Sequence, residues 1–372
     1  MSHRILIATG REATYVRNQL LIKAASELAE VTAITPHRLG SLSLNLLRVL
    51  RRLLPALRQP HDLVILGFYG HPLVPIVRRF TSAPILFDAF ISTWDTLCFD
   101  RQKFAPTSVP GQVARRLDIT ACGSADRVLL DTQAHARFFS ESLNLPIDRV
   151  DTWYIGCDEA IFYPRLQPPR ATTEPLTVFF YGSYQPLHGV DVIVQAAALL
   201  HGDSRLRFKL IGDGQTQQQA QHAAQQSHLT NVEFVPPVPI ANLAAQAASS
   251  DICLAGPFGS TAKAQRVIPT KTAQFLAMSR PIIASDSPAN RELLVHRQSA
   301  YLCEAGQPHA LAEAIRTLAN DEMLRTILAQ GGRQLFENRL SLPRLIADLK
   351  PILERSLQAR SAASSRSTHA SH

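Results

Sequence analysis

Short runs of strand-forming residues alternate with helix-periodic stretches along almost the whole chain, and the alternation breaks only once. In the first half, Arg4–Ala8, Val31–Thr35, Leu63–Gly67, Pro84–Phe87 and Arg127–Asp131 read as strands. Helical periodicity fills Val16–Leu28, Val74–Phe80 and Val113–Ala125 between them. Such alternation predicts a parallel sheet with helices on both faces. The break falls at Pro164–Pro175 (PRLQPPRATTEP), where four prolines and two arginines leave no apolar period. Then the pattern restarts, with strands predicted at Leu176–Tyr181, Arg207–Ile211, Val232–Phe234, Ile252–Ala255 and Pro281–Ala284. The expected fold class is therefore α/β, with two Rossmann-like domains facing a cleft and ligands beyond the carboxyl ends of the strands. The expected boundaries are 1–163 for the first domain, 164–175 for the linker and 176–340 for the second domain. A C-terminal helix at 341–358 is expected to cross back to the first domain, and the Ser/Ala/His-rich tail 359–372 to lack order.

Composition narrows the class of partner. With 46% hydrophobic and 18% charged residues the chain is globular. Its five cysteines are far apart, with no CxxC or Cys/His ligand spacing, which suits reduced thiols in a cytosolic protein. The thirteen histidines show no HxxxH or HExxH spacing, so no metal is expected. Ile5–Ala8 already reads as a first strand, so no leader segment is expected, and no apolar run is long enough to span a bilayer. A net charge of +8 points to an anionic partner. No nucleic-acid module of known pattern is present, which leaves a nucleotide or a membrane surface.

The membrane option has its own segment. Between Glu30 and Asp62 there is no acidic residue, while Arg38, Arg48, Arg51, Arg52 and Arg58 all fall there. Leu42, Leu46, Val49, Leu50, Leu53 and Leu57 share a helical face, with Arg48, Arg51 and Arg52 largely off it and Pro55 set to end the helix. Residues 41–58 could thus lie on an anionic membrane, leucines inserted and arginines at the phosphates. The alternative is a surface helix with its leucines on the sheet and its arginines in water.

Two segments carry the candidate chemistry. In Phe179–Gly189 (FFYGSYQPLHG) a strand ends at Gly182-Ser183, and a helix begins after His188-Gly189. A strand–turn–helix unit of this kind offers backbone N–H groups and a helix N-terminus to a diphosphate. In Gly256–Met278 (GPFGSTAKAQRVIPTKTAQFLAM), Lys263 and Lys271 flank a second helix start, which Thr270 or Thr272 could cap. Beyond it, Ser287–Glu292 (SPANRE) reads as the start of another helix.

Together YGSYQPLHG, KLIGDG, NVEFVPPVP, SSDICLAG and KAQRVIPTKTAQFLAMSRPIIASDSPANREL resemble glycosyltransferase family 4, of the GT-B fold. FDAFISTWDTLCFDR, ADRVLLDTQAHARFF and YIGCDEAIFYP in the first half agree with one branch of it. The resemblance implies a retaining, metal-independent transferase that needs no cofactor and takes a nucleotide-sugar in its C-terminal domain. It implies a glycan or lipid-linked acceptor, a part in polysaccharide or cell-envelope glycan assembly, and a cytoplasmic location, peripheral at the inner face of the plasma membrane. Donor contacts carried over are Gly182, Ser183, His188, Gly189, Gly212, Gly214, Val238, Lys263, Arg266, Thr270, Lys271, Gln274, Asn290 and Glu292. Lys263 and Lys271 would meet the leaving diphosphate, and Asp88 would act on the acceptor or the sugar ring, with Asp95 and Asp100 as alternates.

Departures from the family pattern fall at the donor site. Ser183 and His188 stand where the family has Arg and Lys. Arg266 and Gln274 stand where it has paired glutamates, so Gln274 would meet the ribose without a charge. These changes also suit a non-catalytic relative that binds nucleotide or glycan, or scaffolds a glycan-assembly complex. Asp88 could equally be a turn or cap residue, and Glu292 could merely complement a helix dipole. A nucleotide-sugar epimerase of the same fold fits the motifs less well. An NAD-dependent enzyme should show GxGxxG after the first strand, where Thr9-Gly10-Arg11-Glu12 stands instead.

Overall fold

The computed structural model describes residues 3–36, 41–165 and 174–359. The expected linker falls mostly, and the tail almost wholly, outside those residues, as does Arg38. The chain forms two compact units. The first takes the described residues up to Cys98, then Gln102–Ile155 and the chain from Leu342; the second takes Phe99–Arg101 and Gly156–Ser341.

In the first unit six strands form one sheet: β1 (Arg4–Ala8), β2 (Glu30–Ile34), β3 (Leu63–Leu66), β4 (Ile85–Asp88), β5 (Arg127–Leu130) and β6 (Val150–Thr152). Their order is β2-β1-β3-β4-β5-β6, and every pairing is parallel. The central strands LVIL and ILFD are buried along their whole length, which a parallel sheet covered on both faces requires. The helices are α1 (Val16–Ser26), α2 (Leu42–Ala56), α3 (Leu73–Val77), α4 (Val109–Ser124) and α5 (Gln133–Leu143). One face buries residues of α2, α3, α4 and α5. The other buries α1 and the last helix of the chain, which belongs to this unit.

The second unit repeats the plan. Its strands are β7 (Leu176–Tyr181), β8 (Leu206–Ile211), β9 (Val232–Val235), β10 (Ile252–Gly256), β11 (Ile282–Ser285) and β12 (Tyr301–Cys303). They run parallel in the order β12-β11-β10-β7-β8-β9, so β7 is central. Its helices are α6 (Val190–Leu199), α7 (Gln217–Gln226), α8 (Ile240–Ala248), α9 (Thr270–Ala277), α10 (Pro308–Asn320) and α11 (Glu322–Arg339). The final helix, α12 (Leu342–Gln358), packs on α1, and Leu345 C=O accepts from the Trp153 indole at 2.9 Å.

Three local expectations need correction. Ser287–Glu292 gives only a 3₁₀ turn at Asn290–Glu292, because Asn290 is buried and its amide is tied to the ends of β10 and β11. The cap of α9 is Pro269, which has no side-chain acceptor, so neither Thr270 nor Thr272 caps that helix. Sequence periodicity also missed β6, β12 and a π-helical segment at Asp95–Asp100. The two strands are three residues long, too short to show an alternation.

Candidate functional site

Three loops meet at the carboxyl end of β7. The strand ends at Tyr181, and Gly182 N–H still follows the ladder, donating to Ile211 C=O at 3.0 Å. The chain then turns through a 3₁₀ turn, Pro186–His188, into α6. Gly189 makes that entry possible. Its φ is +64°, and a Cβ there would run into the Phe258 carbonyl carbon. Phe258 and Gly259 N–H bond back to His188 and Leu187 C=O at 3.3 and 3.0 Å, fixing the 256–259 turn against this loop. On the other side Gly212 has φ +140° and packs on the Gly182 carbonyl, where any side chain would clash. Gly214 follows at φ +141°, against the Tyr184 backbone.

The structure gathers several sequence-predicted residues here. A Cβ placed on Gly182 would lie 3.3 Å from the His188 ring and 3.5 Å from Lys271 Nζ. Lys271 sits in the first turn of α9, buried, its Nζ donating to Tyr181 C=O at 3.3 Å. The same ammonium lies 4.0 Å from the centroid of the Phe180 ring, a cation–π contact. Burial lowers its pKa to about 7. His188 Nδ1–H donates to Ser183 C=O. Burial holds its pKa well below the usual histidine range, and Lys271 and then Lys263 push it further the same way. The neutral ring therefore presents Nε2 as an acceptor, and it can offer a second N–H only when protonated. Lys263 is buried in the 3₁₀ turn Ala262–Gln265, which packs on the 186–188 turn. Ser183 is exposed beside them.

The remaining donor candidates are distributed around this cluster. Gln274 lies one turn after Lys271 on α9, the spacing that shares a face. Its side chain is buried, and Oε1 finds no hydrogen-bond partner among the described residues. A buried polar atom without a partner is costly. Thr270 is the first residue of α9 and half-buried; Arg266, also half-buried, closes the 262–265 turn. Val238 lies half-buried in the loop after β9, and Glu292 is half-buried. Asn290 is fully buried, with its amide N–H groups donating to Gly256 C=O at 3.0 Å and Ser285 C=O at 2.8 Å. That arrangement holds two strand ends together and leaves its N–H groups occupied.

The acceptor candidates belong to the first unit, apart from Asp100. Asp88 closes β4, fully buried, with its carboxylate gripped by Arg17 at 2.8, 3.0 and 3.2 Å. Arg17 also donates to Trp153 C=O at 2.6 Å, and its guanidinium stacks over the Trp153 and Phe90 rings. Burial pushes the Asp88 carboxyl up and the guanidinium pulls it back. The carboxylate is fully buried and committed to this ion pair. Asp95 is buried in the π-helical segment, where its N–H donates to Ser92 Oγ at 2.9 Å. Asp100 is grouped with the second unit, where it accepts from Leu187 N–H at 3.2 Å and braces the 183–188 loop.

Sequence reading missed two features. Tyr184 is fully buried in the donor loop, and its hydroxyl has no partner among the described residues. At the carboxyl edge of the first sheet, Arg11 lies over Tyr15 and Tyr69, with Phe68 and Phe90 packed alongside. Tyr69 and Phe90 both hold positive φ, at +63° and +58°. Non-glycine residues seldom adopt that conformation outside sites that enforce it. No spacing rule announces residues gathered from three strand ends. Among the described residues no group of three or more His, Cys, Asp or Glu side chains could hold a metal, and all five cysteines are free and buried.

Two parallel six-stranded sheets, each flanked by helices, are the two-domain α/β arrangement of the GT-B fold. Residues 175–321, within the second unit, match the family model for glycosyl transferases group 1. Over 182 residues the chain is 24% identical to an uncharacterized glycosyltransferase of Methanocaldococcus jannaschii, covering 47% of each protein. Over 174 residues it is 26% identical to the phosphatidyl-myo-inositol mannosyltransferase of Mycobacterium leprae, covering 46% of this chain and 42% of that one. The matches thus span less than half the length of these relatives. Among solved structures, Anabaena HepE in complex with UDP superposes with a TM-score of 0.69 at 14% identity, over 95% of this chain and 99% of that one. Sucrose-phosphate synthase from Thermosynechococcus elongatus gives 0.74 at 14% identity, over 96% and 100%. These likenesses establish the GT-B architecture.

Proposed function

We propose that the chain transfers a sugar from a nucleotide-sugar to a glycan or lipid-linked acceptor with retention of configuration. The observation that carries this reading is the convergence of Gly182, His188 and Lys271 beside an open-capped helix start, inside the domain that matches the transferase family. The donor diphosphate docks on these groups. Its charge keeps Lys271 protonated and draws a proton onto His188, whose Nε2–H then donates to a phosphate oxygen. Gln274 Oε1 accepts from a ribose hydroxyl. The bond between the sugar C1 and the phosphate oxygen breaks, and its electron pair leaves with the diphosphate. The acceptor hydroxyl forms the new C1–O bond on the same face and passes its proton to the departing phosphate. Lys271, Lys263 and His188 stabilise that developing charge, so no metal or other cofactor is required.

Because the Anabaena neighbour was solved with UDP, UDP-sugars are the first donors to test. The acceptor is met at an anionic membrane surface through residues 41–58, with the protein peripheral to the cytoplasmic leaflet. Among the described residues no helix is long and apolar enough to cross a membrane. A second reading, a binding protein without turnover, draws on Ser183, Arg266 and Gln274, which depart from the pattern of the resembling family. UDP release from UDP-glucose and related donors, with anionic vesicles present, separates the two. Turnover that disappears in Lys271→Met supports transfer; tight nucleotide binding with no release from any donor supports the second reading.

A further inference from the structure

The membrane part of the preceding reading rests on α2 alone, yet the first unit carries a second helix built the same way. On α2 the outward stripe is Leu44, Leu47, Arg48 and Arg51, at i, i+3, i+4 and i+7. Leu44 and Leu47 are 53% and 56% exposed although they are leucines. On α4 the outward stripe is Val109, Val113 and Arg116, at i, i+4 and i+7. Val109 and Val113 are 79% and 59% exposed. Each helix thus has a bare apolar first turn or two, then an exposed arginine seven residues on, about 10 Å along the axis.

Topology puts the two apolar tips at one edge. Both helices pack on the same face of the parallel sheet, in one core with Val49, Leu53, Ala121 and Cys122. Both pack against α3. α2 leads to the start of β3, and α4 ends two residues before β5 begins, so both helices finish at the amino edge and begin at the carboxyl edge. Charge agrees with placement. Neither 41–61 nor 101–117 contains an acidic residue, and Lys103 and Phe104, both exposed, lead into α4.

We infer that the first turns of α2 and α4 together form a docking surface for an anionic lipid bilayer. The leucines and valines enter the headgroup–acyl boundary, and Arg48, Arg51, Arg116 and Lys103 meet lipid phosphates. The edge so anchored is the one that holds Arg11, Tyr15 and Tyr69, which places that cluster where a lipid-linked acceptor would emerge. Two helices held to one sheet insert as a unit, so losing either tip weakens the whole attachment.

The test is co-sedimentation of the full chain with phosphatidylglycerol/phosphatidylcholine vesicles and with phosphatidylcholine alone. The expected result is binding to the anionic vesicles that falls with added salt. Val109→Ser/Val113→Ser and Leu44→Ser/Leu47→Ser should each reduce it roughly tenfold or more, with unchanged circular dichroism. Parental binding by the α4 variant, with loss in the α2 variant, overturns the two-helix surface and leaves the single-helix reading standing. No binding by the parent overturns both. Equal binding to neutral vesicles overturns the charge match. A concentration-dependent dimer in sedimentation velocity, dissolved by Val109→Ser/Val113→Ser, overturns it in favour of a contact between copies.

Discussion

Lys271 is buried and His188 half-buried beside it, so under the proposed reading the site is a proton-linked anion trap. Lys271 has a pKa of about 7, and His188 sits well below the usual range. Diphosphate binding should therefore take up protons near pH 7.5. Calorimetry of UDP binding in buffers of different ionisation enthalpy would show this as a buffer-dependent heat, and affinity should fall as pH rises from 7 to 9. A buffer-independent heat would remove Lys271 and His188 from the phosphate contact. For folding of the free protein the sign is opposite. An unfolded lysine near 10.5 binds a proton that the folded one near 7 releases, so the burial cost is full below pH 7 and fades as pH climbs toward 10.5. Lys271→Met should raise the melting temperature at pH 7, with the gap closing by pH 10. Asp88 behaves differently. Arg17→Met strands a buried carboxylate and should cost about 3–5 kcal/mol in denaturant unfolding, whereas Arg17→Met/Asp88→Leu should recover most of it. Stability unmoved by Arg17→Met would contradict a structural pair and return Asp88 to the acceptor. Sequence alone showed the lysines and the histidine, because they flank predicted helix starts. It could not show Arg17 gripping Asp88, a pairing across 71 residues.

Elements followed the period of their residues wherever burial was uniform. LVIL and ICLAG read as strands because a parallel sheet with two covered faces needs unbroken apolar runs. Periodicity failed where a side chain rather than an apolar period sets the local path, as with Asn290 in SPANRE. It also misplaced the free face of α2. Of the predicted leucine face, Val49, Leu53 and Leu57 are buried in the sheet core with Leu46 and Leu50 packed on it, so that face is not free to enter a membrane, while Leu44 and Leu47, outside the predicted face, point outward. The donor turn can be probed at the same scale. Gly189→Ala meets both a left-handed backbone and the Phe258 carbonyl, and should cost on the order of 1–3 kcal/mol in denaturant unfolding while weakening UDP binding. Full stability in that variant would show that the loop relaxes freely and that its geometry is not what forms the cradle.

At the scale of the molecule the recurrence of one βα pattern on either side of a proline-rich stretch was sufficient to predict two doubly wound sheets. The chain's order of elements encodes that much. The strand order is a finding of the structure: each sheet grows outward from its first strand, β1 or β7, and reverses once. Ligand identity is not encoded in element order. It depends on a few side chains at strand ends, and here those differ from the family pattern at Ser183, His188, Arg266 and Gln274. The central claim is that the second unit holds a nucleoside diphosphate on Lys271. The direct measurement is calorimetric titration of UDP, GDP, ADP and TDP into the full chain and into Lys271→Met. One nucleotide should bind saturably to the parent. The variant should lose on the order of 1.5–3 kcal/mol of that affinity while remaining folded, the loss of a charge-assisted contact. A folded parent that binds none of the four, or a variant that binds as tightly as the parent, would contradict the account.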